Sequence, residues 1–235
     1  MPARLPCARP ASVVLEGRYA RLEPLAAAHA ADLFEASAAP GAQRRFAYLS
    51  DPPPSTPADM DAWIAKAAAG KDPLFSAVVD KASGRAAGRQ ALMRITPEHG
   101  VLEIGHILWG PAIARTRCAT EALYLAARHV FEDLGYRRFE WKCNDLNEPS
   151  KAAARRFGFG YEGLFRQHMW VKGASRDTAW FSMLDREWPG LKKAYERWLA
   201  PDNFDAAGMQ RTKLQAGRYV RSGRTGTTNR SPDRS

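Results

Sequence analysis

The spacing of apolar residues along the chain changes several times, and each change predicts the boundary of a structural element. Residues 13–25 hold two short apolar runs on either side of Gly17, which predicts two strands joined by a turn. Three further segments, 74–80, 88–95 and 101–109, are rich in strand-forming residues and are separated by turn residues. We expect these three strands to be antiparallel neighbours in one sheet.

Helical spacing replaces this pattern in five segments. They are residues 26–36, a segment that begins at Thr56 and Pro57, and residues 120–134, 150–157 and 189–199. Thr56 suits an N-cap and Pro57 suits the first helical position. The segment 120–134 is the clearest of the five, because its apolar residues recur every three or four positions until Gly135 stops the helix.

Three more strands are expected in the second half of the chain. They are residues 138–143 and a hairpin formed by 161–171 and 178–184. The order of strands, long helix, strand, short helix and hairpin predicts one mixed α/β (α+β) domain with helices flanking its sheet. Nearer the start, residues 40–57 are rich in proline and small side chains, which predicts a loop able to close over a ligand.

Composition and charge divide the chain into three parts. Of its 235 residues, 45% are hydrophobic, which suits one sizeable domain, and the formal net charge is +10. Residues 211–235 hold seven basic residues and one acid, and therefore account for more than half of that charge. We expect a flexible leader at 1–12, a folded domain at 13–200 and a basic, largely disordered tail at 201–235. The tail could contact RNA or ribosomal surfaces weakly.

The cysteines and the apolar runs indicate the compartment. Cys7, Cys118 and Cys143 are odd in number and far apart, so they predict neither a disulfide framework nor a zinc site, and no other metal site is expected. No secretory signal and no apolar run of membrane-spanning length is found in the sequence. A reduced, cytoplasmic location without membrane contact is the prediction.

Four short motifs follow one another in the middle of the chain. They are Glu-Ile-Gly-His-Ile-Leu at 103–108, Ala-Thr-Glu-Ala-Leu at 119–123, Asn-Glu-Pro-Ser at 147–150, and Gly-Phe-Gly-Tyr-Glu-Gly at 158–163. In this order the motifs resemble the GNAT acyltransferases, and in particular the RimJ/RimL-type branch, whose members acetylate protein N-termini. The resemblance implies a twisted mixed sheet that splays open between strands 101–109 and 138–143, with acetyl-CoA as cosubstrate in the opening.

The resemblance also implies which residues hold acetyl-CoA. The backbone of Ile107, Leu108 and Trp109 would bond the pantetheine arm like an added strand, and the N-terminus of the following helix would face the pyrophosphate. The loop and first turn at that end comprise Arg115, Thr116, Arg117, Cys118, Ala119 and Thr120.

This loop lacks the glycines that the family usually has there. Side chains at these positions keep backbone amides away from a phosphate, so the amide cradle is weakened. Arg115 and Arg117 could replace it with charge-assisted hydrogen bonds. The alternative is that both arginines are solvated and that CoA binding has been lost.

Asn147 and Ser150 match the Asn-x-x-Ser element of the branch. The resemblance implies that Ser150 donates a proton or a hydrogen bond to the leaving CoA thiolate and that Asn147 lies beside the cofactor. A serine just before a helical run is also what an N-cap requires. Both interpretations of Ser150 stay open.

The general base is harder to assign, because Met169 occupies the position where RimL-like enzymes can carry a glutamate. The substitutes are Glu103, His106 and His168. On a regular strand Glu103 and His106 face opposite sides, so only a bulge would let both reach one substrate. His106 suits proton transfer near neutral pH, but a lone histidine in an apolar strand is more often a packed core residue.

The leading hypothesis is an acetyl-CoA-dependent N-acetyltransferase that acts by direct transfer on a primary amine, most simply a protein N-terminal amine of the ribosomal-protein type. A small-molecule amine, such as an aminoglycoside or a polyamine, is the alternative acceptor, and a strongly acidic groove would favour it. A non-catalytic acyl-CoA-binding or ribosome-associated module is the alternative outside the enzymes. Monomer and homodimer both remain open.

Overall fold

The computed structural model describes residues 5–216. Its strands are β1 Leu15–Glu16, β2 Ala20–Pro24, β3 Leu74–Asp80, β4 Arg85–Thr96, β5 Val101–Trp109, β6 Arg138–Asn144, β7 Gly160–Val171 and β8 Ala174–Leu184. Its α-helices are α1 Ala30–Ala38, α2 Ala42–Phe46, α3 Pro57–Ala69, α4 Arg117–Arg128, α5 Glu148–Arg156 and α6 Trp188–Leu199. All eight strands form one sheet in the order β1-β2-β3-β4-β5-β6-β8-β7.

The sheet is mixed, as the sequence predicts. Its central pair, β5 and β6, is parallel, and every other neighbouring pair is antiparallel. The parallel pair requires a crossover, which α4 provides, because strands that run the same way cannot be joined by a tight turn. The expected single mixed α/β domain is therefore confirmed.

Each face of the sheet has its own apolar core. On one face the core includes Leu102, Ile104 and Phe139 together with the apolar sides of α4, α5 and α6. On the other face α1 and α3 pack over β3 and β4, where Ala77 and Val79 are buried. Side chains alternate between the two faces along each strand. The second face of β5, β6 and β8 carries charged side chains instead of apolar ones, and this polar area leads to the candidate site.

One buried carboxylate joins α4 to the first turn of the chain. Glu121 accepts backbone hydrogen bonds from Arg18 at 3.0 Å and from Ala20 at 2.7 Å, and a third from Tyr19 between them. A Cβ atom at Gly17 would lie 2.5 Å from a carboxylate oxygen of Glu121. The predicted turn at Gly17 is correct, and the close approach of this carboxylate explains why glycine is needed there.

Most predicted elements lie within a few residues of the observed ones, with two exceptions. The proline-rich segment 40–57 contains the short helix α2. The sequence does not predict this helix, because the segment has no helical spacing of apolar residues. Strand β8 begins at Ala174 instead of 178, because Val171 and Ala174 close the hairpin directly around Lys172 and Gly173. The exposed polar residues at the start of β8 carry no strand signal.

Residues 201–216, which belong to the predicted tail, fold against the rest of the domain. This segment, hereafter the C-terminal strap, begins with a 3-10 turn at Pro201–Asn203, forms a bridge between Phe204 and Gln210, and buries Leu214. It has few apolar residues, but Phe204 packs against Trp198 of α6 and Ala216 against Gly158, so little new surface has to be ordered. The rest of the predicted tail, 217–235, lies outside the described residues.

Residues 5–12, which belong to the predicted leader, also contact the domain. Cys7 and Pro10 are buried, and the backbone N–H of Cys7 donates to the Pro97 carbonyl at 3.0 Å. This hydrogen bond attaches the segment to the turn between β4 and β5 and so holds it against the sheet. Residues 1–4 lie outside the described part of the chain.

Candidate active site

Strands β5 and β6 separate halfway along their length. Their pairing runs only from Val101 opposite Arg138 to Ile104 opposite Trp141. Beyond that point β5 continues to Trp109 paired with β4 alone, and β6 continues paired with β8, so within residues 5–216 no strand fills the space between them. The expected splay is present.

The splay leaves backbone groups available on the β5 edge. The residues concerned include Ile107, Leu108 and Trp109, the segment that the resemblance assigns to the pantetheine arm. The indole N–H of Trp109 is also buried without a hydrogen-bond partner among the described residues. Unpaired polar groups of this kind are costly unless a ligand or water satisfies them. The edge therefore fits an amide-rich ligand.

A β-bulge interrupts β5 just before this edge. Ala91 pairs with Gly105 and Arg89 pairs with Leu108, so β5 has one more residue than β4 across the interval. The extra residue changes which face the following side chains occupy. His106 lies in the bulge with φ 50°, a left-handed conformation that non-glycine residues seldom adopt.

The bulge places His106 on the same face as Glu103. The His106 ring lies 5.2 Å from the ring of Phe75, which packs against Trp63 of α3 and so belongs to the face opposite α4. Glu103 lies between two residues that point toward α4, and it therefore faces this side as well. The bulge therefore allows Glu103 and His106 to reach one substrate.

Charged side chains fill the face of β5, β6 and β8 beside His106, hereafter the polar groove. Glu103 is only 5% exposed, and the ammonium of Lys142 lies 3.1 Å from its carboxylate and 2.7 Å from that of Glu140. The same ammonium stands 3.8 Å above the ring of Trp180, and Arg94 reaches Glu103 at 3.2 Å. Burial raises the pKa of Glu103, although both cations oppose the shift.

Both candidate histidines are in their neutral form near pH 7. Burial lowers the pKa of His106, and the Arg89 guanidinium lowers it further. The pKa of His168 is lowered by desolvation and by the Arg94 charge, and its Nδ1 lies 3.1 Å from the Thr178 hydroxyl. A neutral imidazole has a lone pair that can accept a proton.

His168 reaches the groove through a second bulge. The pairing of β7 with β8 jumps from Phe165 opposite Thr178 to Met169 opposite Arg176, so β7 has extra residues there. The His168 ring lies 6.0 Å from the ring of Trp180, above which the Lys142 ammonium stands. The structure therefore brings all three substitutes for the missing glutamate to one face.

Ser150 lies at the opposite side of the opening and is not the helix cap. Helix α5 begins at Glu148, and Asn147 is its N-cap, with the side-chain oxygen accepting the Ser150 N–H at 3.1 Å. The Ser150 oxygen accepts the indole N–H of Trp141 at 3.0 Å, which leaves the hydroxyl hydrogen to be donated elsewhere. The N-cap interpretation of Ser150 is wrong, because the chain enters the helix two residues earlier than predicted.

Helix α4 starts at Arg117, so the predicted phosphate-binding segment lies mostly in its first turn. Thr116 occupies the N-cap position without a side-chain cap, because its hydroxyl donates to the Ile113 carbonyl at 2.7 Å. Among the described residues the backbone N–H groups of Cys118 and Ala119 have no hydrogen-bond partner, as expected for a helix start. These amides fit an anion such as a phosphate.

The side chains of this turn do not all face the same way. Cys118 and Thr120 are buried, and burial raises the pKa of the Cys118 thiol to about 12, so the thiol stays protonated. The Thr120 hydroxyl donates to the Thr116 carbonyl. Cys118 and Ala119 therefore offer only their backbone amides to a ligand, and the Thr120 N–H is already bonded to the Thr116 carbonyl.

Three arginines surround the start of α4. Arg115 is exposed, with φ 65°. The Arg117 guanidinium carbon lies 4.4 Å from the ring of Tyr19. Arg156, which no sequence motif points to, donates to the Thr120 hydroxyl at 3.2 Å. It lies in the last turn of α5, where a basic residue ordinarily complements the helix dipole, so no local signal connects it with α4.

These arginines lack acidic partners in the part of the chain that the structure describes. The nearby carboxylate of Glu121 is occupied by the backbone of the β1–β2 turn. Cations at the N-terminus of a helix are repelled by its dipole, and an anion there removes the repulsion. The residues present thus fit the phosphates of CoA, with guanidinium groups where the family usually has glycines.

Comparisons with known proteins agree with this geometry. The acetyltransferase (GNAT) domain, a domain of CoA-dependent acyltransferases, matches residues 20–160 of the sequence. A GCN5-related N-acetyltransferase from Brucella melitensis has a crystal structure with a TM-score of 0.89 and 57% identity, covering 92% of this chain and 98% of that one. The chain belongs to the GNAT acetyltransferases, a family that uses acetyl-CoA as cosubstrate.

Curated relatives match shorter parts of the chain. Uncharacterized N-acetyltransferase p20 of Bacillus licheniformis is 32% identical over 120 residues, which cover 49% of this chain and 64% of that protein. The protein provisionally named ribosomal N-acetyltransferase YdaF of Bacillus subtilis strain 168 is 38% identical over 64 residues, covering 27% and 35%. The matches thus span less than two thirds of either relative.

Two further properties concern only residues 5–216. None of the helices there has the length and apolarity needed to cross a membrane. No group of three or more histidine, cysteine, aspartate or glutamate side chains lies close enough to hold a metal ion.

Proposed function

We propose that this protein transfers the acetyl group of acetyl-CoA directly to a protein N-terminal amine. The observation that carries the proposal is the opening between β5 and β6, which has unpaired backbone on one side, Ser150 on the other and the polar groove beside it. Such an arrangement holds two substrates against each other, and positioning of this kind is a large part of catalysis.

Different residues would hold the pantetheine arm and the phosphates of acetyl-CoA. The β5 backbone at Ile107, Leu108 and Trp109 would bond the pantetheine amides. The N-terminus of α4, with Arg117 and Arg156, would receive the phosphates. Acetyl-CoA supplies an acetyl group on a thioester.

His106 is the proposed proton acceptor. An N-terminal amine has a reference pKa of about 7.7 to 8.0, so a modest base is sufficient to take its proton. The lowered pKa of His106 leaves the ring neutral at pH 7 and therefore able to accept that proton. Glu103, held in place by Lys142 and Arg94, would accept a hydrogen bond from the amine and so orient it.

Ser150 is the proposed hydrogen donor to the leaving thiolate. Its oxygen is already fixed by the Trp141 indole N–H, so the hydroxyl hydrogen has a restricted direction. The helix cap is supplied by Asn147, which leaves Ser150 without a competing structural role at this helix start. The hydroxyl can therefore be tested separately from the cap.

The groove favours a peptide over a polycation as the acceptor. Its carboxylates, Glu103 and Glu140, are matched by Lys142 and Arg94, so it is not strongly acidic. The indole N–H of Trp180 is buried without a partner among the described residues, and it suits a peptide carbonyl. An open cleft of about 770 Å³ lies at the end of β6, lined by residues such as Arg166 and Asp177, and gives an extended chain room to enter.

Labelled acetyl-CoA, incubated with the protein and a panel of N-terminal peptides, aminoglycosides and polyamines, tests the proposal. We expect label on the α-amine of at least one peptide and little on the small amines. Label only on a small amine would replace the peptide acceptor with the alternative one. Tight CoA binding without any transfer would favour a non-catalytic module.

A further inference from the structure

We infer that the C-terminal strap, residues 201–216, is part of the acetyl-CoA site and that Phe204 positions Arg117 for the phosphates. The inference rests on the proposed function, because it assigns a positioning role within the same site. The strap lies outside residues 20–160, which the GNAT domain matches, so the shared domain does not account for it.

The first contact is between Phe204 and the start of α4. The Arg117 guanidinium carbon lies 5.3 Å from the Phe204 ring and 4.4 Å from that of Tyr19. The two rings meet edge to face, 5.8 Å apart. Gly208 of the strap also lies close, since a Cβ there would be 4.0 Å from the guanidinium carbon. Arg117 is thus held between aromatic rings, which attract a guanidinium electrostatically.

The second contact joins the strap to Arg156. The Arg156 guanidinium carbon lies 5.1 Å from the Trp198 ring of α6. Trp198 packs perpendicular to Phe204 at 5.1 Å, and its indole N–H donates to the Gln210 side-chain oxygen at 2.9 Å. One aromatic cluster therefore orients two of the three arginines at the α4 N-terminus.

Hydrogen bonds and a close contact with Gly158 keep the strap in place. The Asn203 amide donates to the Trp198 carbonyl at 2.8 Å and accepts the Thr212 N–H at 2.9 Å. Ala216 is fully buried, and a Cβ on Gly158 would lie 3.1 Å from the Ala216 methyl carbon. The strap is thereby anchored at both ends against the core.

The strap explains how a loop without glycines can still hold phosphates. Without close approach of the backbone, the binding energy has to come from side chains, and flexible arginines lose conformational entropy when they bind. Arg117 and Arg156 are already restricted by stacking, so less entropy is lost on binding. The uncapped amides and these guanidinium groups together form the expected phosphate site.

Two substitutions separate stacking from packing. Phe204→Leu keeps an apolar side chain against Trp198 but removes the aromatic face, whereas Phe204→Tyr keeps the ring. Tyr161→Leu is the matched control, because Tyr161 is a partly exposed aromatic residue on the edge strand β7. Calorimetric titration would measure the dissociation constants of CoA and of pantetheine, which lacks the phosphates.

We expect Phe204→Leu to weaken CoA binding about tenfold, with pantetheine binding unchanged, and Phe204→Tyr and Tyr161→Leu to bind both ligands like the wild type. The loss should shrink at high salt, since it is electrostatic. Equal CoA affinity in Phe204→Leu and the wild type would overturn the inference, as would parallel losses for CoA and pantetheine. Acetyl transfer, measured separately, tests the proposed function: its absence in a wild type that binds CoA would leave the strap's role intact.

Discussion

The imidazole of His106 reaches the polar groove only because the backbone turns at that residue. Its φ of 50° places it in a bulge, opposite the point where β4 lacks a matching residue. Once there, the ring is half-buried beside Phe75 and within the field of Arg89, and both effects favour its neutral form. The local backbone geometry thus decides both the direction and the charge of this side chain.

Replacing His106 should remove one ionisation from the pH profile. Because its pKa is lowered below the ordinary value of about 6.5, the neutral ring dominates at pH 7 and is lost only as the pH falls further. We expect wild-type kcat/KM to decline on the acid side of pH 6.5 through this group. In His106→Gln, kcat/KM at pH 7.5 should fall about 100-fold and the corresponding acid limb should vanish. An unchanged profile in the variant would assign the proton transfer to another group.

Ser150 and Asn147 allow catalysis and capping to be separated. Ser150→Ala removes the hydroxyl but leaves the cap, so we expect kcat to fall about 100-fold. The free energy of unfolding should fall by about 1 kcal/mol, because the buried Trp141 indole N–H loses its acceptor. Asn147→Ala removes the cap and should cost about 1 kcal/mol of stability. Turnover assays and urea unfolding of both variants provide the comparison. A Ser150→Ala variant with normal turnover would contradict its assigned role.

At the scale of elements, α4 connects the proposed cofactor end of the site to the edge of the sheet. Its first turn offers backbone amides, and its Glu121 side chain holds the β1–β2 turn, which in turn supplies Tyr19 to Arg117. The same helix provides the crossover between the two strands that splay apart. Its position therefore affects both the phosphate end and the opening.

Glu121→Gln should test this connection through stability. The substitution keeps the side chain's size but replaces one acceptor oxygen with a donor that faces backbone N–H groups. We expect a loss of about 2 kcal/mol in the free energy of unfolding, because buried donors are left without partners. Urea denaturation measures it, and the exposed Glu98→Gln provides a control that should change little. Equal stability of the two variants would show that the turn is held by other contacts.

The elements of this fold are largely visible in the sequence, and the exceptions have physical causes. The helical period of residues 120–134 and the apolar runs of the central strands are strong enough to place these elements from the sequence alone. The bulges at His106 and in β7 cannot be placed in this way, because the number of residues on the partner strand decides them. The sequence predicts the start of α5 two residues late, since Ser150 and Asn147 are both good N-caps and only packing chooses between them.

At the scale of the whole molecule, the C-terminal strap completes a core that the shared domain leaves open. Phe204, Leu214 and Ala216 cover the end of α6 and the glycine at 158. Their burial arises from tertiary contact with distant surfaces, and the sequence around them is polar. This is why composition alone suggests disorder there, and why it does not connect Arg156 with the start of α4.

Two truncations should separate the strap from the residues that follow it. A chain that ends at Ala216 retains the strap contacts described above, and we expect its melting temperature and CoA affinity to equal those of the full chain. A chain that ends at Ala200 loses the buried Phe204 and Leu214, about 4 kcal/mol of apolar burial, and should melt about 10 °C lower. Calorimetry of the three proteins gives the answer, and equal melting temperatures throughout would contradict the strap's structural role.

Acetyl transfer to a peptide tests the central claim most directly. The protein would be incubated with acetyl-CoA and a panel of peptides that have free N-termini, and mass spectrometry would locate any added acetyl group. We expect one acetyl group on the α-amine of a preferred peptide, formed much more slowly by Ser150→Ala and His106→Gln. Binding of acetyl-CoA with no acetylated peptide in the panel would contradict the proposed transfer.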